Sequence, residues 1–133
     1  MFARIVVGYI PTAEGVAALD TAVELARQDG AHLTVVNTGR DGNYADPTFA
    51  SAEDIDTIDL QLANADVAHD VRQPTSGRPA ADEILAAATE VDADLVVIGV
   101  RRRSPVGKLV TGSTAQQILL DAPCAVLAVK ARP

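Results

Sequence analysis

A chain of 133 residues, 48% of them apolar, suits one core and one domain. Aromatic residues are only 3% and tryptophan is absent, so the core must be aliphatic, and stacking platforms for single-stranded nucleic acid find no support. The formal net charge of −7 works against nucleic acid and anionic membrane surfaces as partners.

The first fifteen residues, MFARIVVGYIPTAEG, carry an apolar run that contains Arg4 and stops at Ile10, without a small-residue cleavage site. No stretch approaches the roughly 18 to 20 apolar residues that cross a bilayer. The single cysteine excludes an internal disulfide and points to a reducing compartment. The expectation is a cytoplasmic protein with no membrane partner.

In chain order, Ile5-Val6-Val7-Gly8 reads as a buried strand. Thr12 can cap a first helix with Val16, Leu19, Val23 and Ala26 at helical spacing, and Gly30 stops it. Leu33 to Val36 is a second strand, and Thr38 to Pro47 a loop rich in Gly, Asn and Asp. Ser51 with Asp54 forms a capping-box pattern before a second helix marked by Ile55, Ile58 and Leu62, with an acidic opposite face. Asp66 to Val71 alternates like an edge strand. Pro79 sits where a third helix would begin, with Ile84, Leu85, Ala88 and Val91 as its apolar stripe. Leu95 to Ile98 is the most apolar run, a central strand. Ser113 to Leu120 is a fourth helix, closed by Pro123, and Ala125 to Val129 the last strand. Strands and helices alternate throughout. That pattern means βαβ units and a five-stranded parallel sheet with helices on both faces, an α/β fold in a single domain over residues 1–133.

Ligands of open parallel sheets bind beyond the carboxyl ends of the strands. Gly99 is expected straight after the central strand, and a basic loop then leads to Gly112-Ser113-Thr114. Arg101, Arg102, Arg103 and Lys108 place four of the eleven basic residues within eight positions of an acidic chain. A local positive patch of that kind suits a small anion better than a polyanion. Ser113 with Gln116 is a second capping-box pattern, so a helix N-terminus, with its unpaired N–H groups and positive dipole end, faces this loop. Together with the two hydroxyls and the nearby guanidinium groups this makes a phosphate cradle.

The stretch from Gly99 to Thr114 resembles the phosphate loop of the universal stress protein family. Its ATP-binding members carry Gly, two residues, Gly, nine residues, then Gly followed by Ser or Thr. Gly99 and Gly112-Ser113 match the outer positions, and Arg102 stands where the middle glycine would be. The run ADLVVIG of Ala93 to Gly99, the closing APCAVLAVK of Ala122 to Lys130, the length and the element order belong to the same resemblance.

That resemblance implies a doubly wound, Rossmann-like sheet of the adenine nucleotide α-hydrolase-like kind. It implies a regulatory module of the stress response that binds ATP, with or without a bridging Mg2+, rather than an enzyme. Gly99, Gly112, Ser113 and Thr114 would hold the phosphates, with Arg101, Arg102, Arg103 and Ser104 wrapped around them. The base and ribose would lie at the ends of the first two strands, near Ile10, Pro11, Asn37 and Thr38. Ile10 replaces the Asp that commonly follows strand one and contacts the nucleotide. A homodimer through Ala125 to Val129 is also implied. The two departures, Arg102 and Ile10, keep open an alternative: a dimeric interaction module that binds no nucleotide.

Other candidates read more simply. Cys124 is a small apolar filler rather than a nucleophile. His32 and His69 lack partners at metal-ligand spacing. GxSxG is absent, Lys108 does not complete a Walker A motif, and slow ATP hydrolysis finds no obvious general base. Tyr44 could close over a base from its loop, but a plain loop residue is the simpler reading.

Overall fold

The computed structural model describes residues 1–38, 49–101 and 113–131. Strand β1 (Arg4–Gly8) leads to helix α1 (Ala13–Asp29), then β2 (His32–Val36), α2 (Ala52–Asn64), β3 (His69–Arg72), α3 (Ala80–Glu90), β4 (Leu95–Val100), α4 (Ser113–Asp121) and β5 (Ala125–Lys130). All strand pairs are parallel, in the order β3-β2-β1-β4-β5. The chain starts in the middle, builds outwards to β3, then crosses back over to β4. The order therefore reverses between β1 and β4, which is where a doubly wound sheet opens a crevice.

The three inner strands β1, β2 and β4 are buried on both faces because they are apolar on both. Ile5, Val7, Leu33, Val35, Leu95 and Val97 face one layer with α1 and α2. Val6, Val36, Val96, Ile98 and Val100 face the other with α3 and α4.

Local signals act as the sequence implies at several ends. The Thr12 hydroxyl accepts from the Gly15 N–H at 3.1 Å, and Gly30 closes α1 with φ 66°, a left-handed conformation that glycine adopts without strain. Ser51 and Asp54 form the reciprocal capping box of α2, each at 3.1 Å.

Other expectations are corrected. Strand β3 covers His69–Arg72 rather than starting at Asp66. Asp66 has φ 61° and Val67 donates back to the Leu62 carbonyl, so residues 66–68 finish the helix end before pairing begins. Strand β4 runs on through Gly99 and Val100, because β5 continues alongside as Val129 and Lys130. Pro79 is the N-cap residue of α3 rather than its first helical residue. Val16 is exposed, since the buried stripe of α1 turns on Gly15, Ala18, Leu19, Ala22, Val23 and Ala26. In α3 the buried stripe is Ala81, Glu83, Ile84, Ala87 and Ala88, with Leu85 and Val91 only partly covered.

Two glycines set how closely the helices approach the crevice. A Cβ on Gly8 would stand 2.7 Å from the Ile84 Cδ1 of α3. A Cβ on Gly99 would stand 2.6 Å from the Glu14 carbonyl carbon and closer still to its oxygen. Gly8 thus admits α3 on one face and Gly99 admits the first turn of α1 on the other.

Candidate functional site

The crevice between β1 and β4 holds a cavity of about 440 Å³, within the usual range for small-molecule sites. Its floor is made of strand ends: Gly8, Tyr9 and Ile10 from β1, Val36 and Thr38 from β2, and Ile98 to Arg101 from β4. Its sides are helix starts: Glu14 and Gly15 of α1, Pro79, Ala80, Ala81 and Ile84 of α3, and Ser113, Thr114, Ala115 and Gln117 of α4. Every helix follows the carboxyl end of a strand in a parallel sheet, so helix N-termini with their unpaired N–H groups collect at this end. Gln117 donates to the Asp82 carboxylate at 2.8 Å and ties α4 to α3 beside the cavity.

The sequence-predicted residues separate here. Gly99, Arg101, Ser113 and Thr114 all line the cavity, with Ile10 and Thr38 on the same wall. Ser113 is the first residue of α4 rather than its N-cap. Arg102, Arg103, Ser104 and Gly112 lie outside the described residues, as do Lys108 and Tyr44. Pro11 is half-buried and not part of the wall. Asn37 is fully buried behind it. Its side-chain N–H donates to the Tyr9 carbonyl at 2.8 Å, and its side-chain oxygen accepts from the Ala50 N–H at 2.8 Å and from Gln73 at 3.0 Å. Asn37 fastens the floor, and Thr38 beside it faces the cavity.

Gly99 serves in a way the spacing did not reveal. Its missing side chain makes room for the Glu14 backbone, which brings α1 against β4 and narrows the crevice. The sequence reading also missed the start of α3 and Glu14. Pro79 was legible as a helix start, but only the strand order places it opposite β4. Glu14 was legible as an acid in a first helical turn, and its Oε1 stands 4.0 Å from the Arg101 Nε.

The cavity wall carries both apolar and polar groups, Glu14 among the latter. Ile10, Val36, Ile84 and Ile98 offer a dry surface, and Ser113, Thr114 and Arg101 offer donors. That combination suits a ligand with a flat apolar part and an anionic tail. Tyr9 is buried, which pushes its phenol up, and Asp54 and Asp20 push it further, so it stays neutral.

Elsewhere, burial pushes the Cys124 thiol up and Asp94 adds to this. Cys124 packs against the α3–α4 core. A protonated, half-buried thiol is a poor nucleophile. His32 stands 2.7 Å from Asp70 and His69 3.1 Å from Asp59, each at the β3 side of the sheet. Among the described residues no helix is long and apolar enough to cross a membrane.

Comparison with known proteins agrees with this architecture. The model of the universal stress protein family matches residues 1–130. A universal stress protein of Mycolicibacterium smegmatis is 41% identical over 126 residues, covering 95% of this chain and 96% of its own. The structure of a universal stress protein from Archaeoglobus fulgidus superposes with a TM-score of 0.80 at 28% identity, over 98% of this chain and all of that one. A second structure from the same organism, solved in complex with dAMP, reaches a TM-score of 0.69 at 24% identity, over 96% of this chain and 98% of that one. With the family model spanning nearly every residue and a full-length relative at 41% identity, the chain belongs to the universal stress protein family.

Proposed function

We propose that this chain is a nucleotide-binding regulatory module of the stress response, one domain over residues 1–133, that takes ATP in the crevice between β1 and β4. The observation that carries the reading is the meeting of Gly99, Arg101, Ser113 and Thr114 at one cavity with an apolar pocket beside them. The phosphates lie against the start of α4, where backbone N–H groups and two hydroxyls donate. Adenine lies between Ile10, Val36 and Ile98, and the ribose bridges the two. A relative of the same fold carries dAMP. Donors dominate the phosphate end, which suits holding a ligand better than activating water, so the module signals by binding rather than by turnover. Mg2+ bridges the phosphates where ATP brings it.

Calorimetry with ATP, ADP and AMP tests the reading, and a flat titration at millimolar nucleotide ends it. Ser113→Ala removes one donor to a charged oxygen. Affinity for ATP should fall roughly three- to tenfold with the melting temperature unchanged. Equal affinity would move the phosphates away from α4.

The module acts as a homodimer in the cytoplasm. Among the described residues, strand β5 pairs with β4 alone and forms the edge of the sheet. Leu127 on β5 and Leu119 and Leu120 on α4 are exposed, an apolar edge of the kind that invites pairing. A two-fold axis beside β5 would set two copies antiparallel and join their sheets. Leu127→Asp should convert the dimer to monomer in sedimentation velocity, and an unchanged dimer would rule out this edge. The same apolar edge favours the second reading, an interaction module without nucleotide. Adenine nucleotide released from freshly purified, denatured protein would exclude that reading.

A further inference from the structure

The cavity wall is not uniformly welcoming to anions. Helices α1, α3 and α4 all begin at it, and each brings a positive dipole end. The first turn of α1 holds Glu14, the first turn of α3 holds Asp82 and Glu83, and that of α4 holds no acid. Of these carboxylates only Glu14 lines the cavity. Asp82 accepts from Gln117, and Glu83 is buried against Arg78 and Ser76.

The Glu14 side chain is 21% exposed, and its one ion pair among the described residues is the 4.0 Å approach to Arg101. At the cavity wall a partly covered carboxylate is screened less than one in bulk water. Among the described residues, this single long pair leaves acceptor capacity open beside the volume where the nucleotide would lie.

We propose that Glu14 selects ligands by charge: it turns the cavity against metal-free polyphosphate and towards nucleotides of lower charge, either monophosphates or polyphosphates complexed with a divalent cation. This rests on the nucleotide reading of the cavity. Two effects act in the same direction. Each added phosphate charge meets the field of Glu14 in a partly dry site, where screening is weaker than in bulk water. Arg101, which lines the cavity, stands 4.0 Å from Glu14 and so is less available to phosphate. A divalent cation removes charge from the ligand, and the open Glu14 oxygens can accept hydrogen bonds from the water bound to it.

The test is calorimetry of the native protein and Glu14→Gln with AMP, with ATP in the presence of a chelator, and with ATP plus Mg2+. Native protein should bind ATP more tightly with Mg2+ than without. Glu14→Gln should raise the affinity for metal-free ATP roughly five- to tenfold, change that for AMP about twofold at most, and shrink the gain from Mg2+. Glu14→Ala, which also leaves the Thr12 cap in place, should act alike if the glutamine variant melts early. An unchanged ratio of metal-free ATP to AMP affinity in both variants, with AMP still bound, would overturn the role of Glu14 and leave the nucleotide site standing. No binding of any of the three ligands to any of the proteins would overturn the nucleotide reading, and this inference with it.

Discussion

Gly15→Ala should destabilise the protein by about 2–4 kcal/mol, against the usual gain of about 0.5–1 kcal/mol for replacing a helical glycine by alanine. Gly15 lies in the first turn of α1 and is buried. A Cβ there would stand 2.9 Å from the Ile10 carbonyl carbon, 3.0 Å from the Ile10 nitrogen, and nearer still to the carbonyl oxygen. All three are backbone atoms, so no side chain can swing away. The segment between β1 and α1 is itself held, because Thr12 donates to the Ile10 carbonyl at 2.8 Å and Tyr9 donates to the Val36 carbonyl at 2.8 Å. The helix must therefore lift from the turn or the turn must leave the sheet. Thermal unfolding should show a fall of roughly 6–16 °C for a chain of this size. Ile10 lines the cavity, so under the proposed function nucleotide affinity should fall as well. A variant as stable as the native protein would mean that α1 does not rest on this turn.

Asn37→Ala should cost about 3–5 kcal/mol, a large share of the total stability of a domain this size. The side chain is fully buried and joins four segments: its amide donates to Tyr9 after β1, and its oxygen accepts from Ala50 before α2 and from Gln73 after β3. Truncation strands the Tyr9 carbonyl and the Ala50 N–H. Each orphaned buried group costs about 1–3 kcal/mol, and the vacated volume adds to this. Gln73 suffers less, since it also donates to the Ala50 carbonyl at 2.9 Å.

Asn37→Asp separates the parts of this role. The aspartate keeps both acceptor contacts but sets an oxygen against the Tyr9 carbonyl and buries a charge. Its folded-state pKa must rise above the usual value of about 3.9. For an acid whose pKa is raised on folding, the folded state binds the extra proton, so stability is greatest at low pH and falls as pH climbs from the unfolded to the folded value. Denaturant midpoints at pH 4 and pH 7 should show the aspartate variant closer to the native protein at pH 4. An aspartate variant that matched the native protein at pH 7 would remove Asn37 from the centre of this network.

Part of the cavity lining was legible before any fold was built, for reasons local to the chain. Gly99 and the Ser113-Thr114 pair could be proposed as part of a phosphate cradle because a strand end, a loop and a helix start are contiguous in sequence. The capping box at Ser51 and the stop at Gly30 depend on residues three or four apart, so short-range chemistry suffices. Asn37 was legible as a position but not as a role. An asparagine after a strand looks the same whether it greets a ligand or braces three loops, and its partners lie 13 to 36 residues away. Strand β3 was misplaced because alternation survives in the helix-ending turn at Asp66, and only the φ of 61° there shows that the chain is still turning.

The amino-acid sequence by itself determined the alternation of strands and helices, the parallel sheet, and a basic, glycine-flanked approach to a helix N-terminus. These follow from hydrophobic period and from capping, which act within a few residues. Only the tertiary structure decided that the sheet runs β3-β2-β1-β4-β5, and hence that α1, α3 and α4 open on one crevice with Glu14 inside it. Strand order is a matter of which distant surfaces bury one another. That choice belongs to the whole chain, and no window of neighbouring residues contains it.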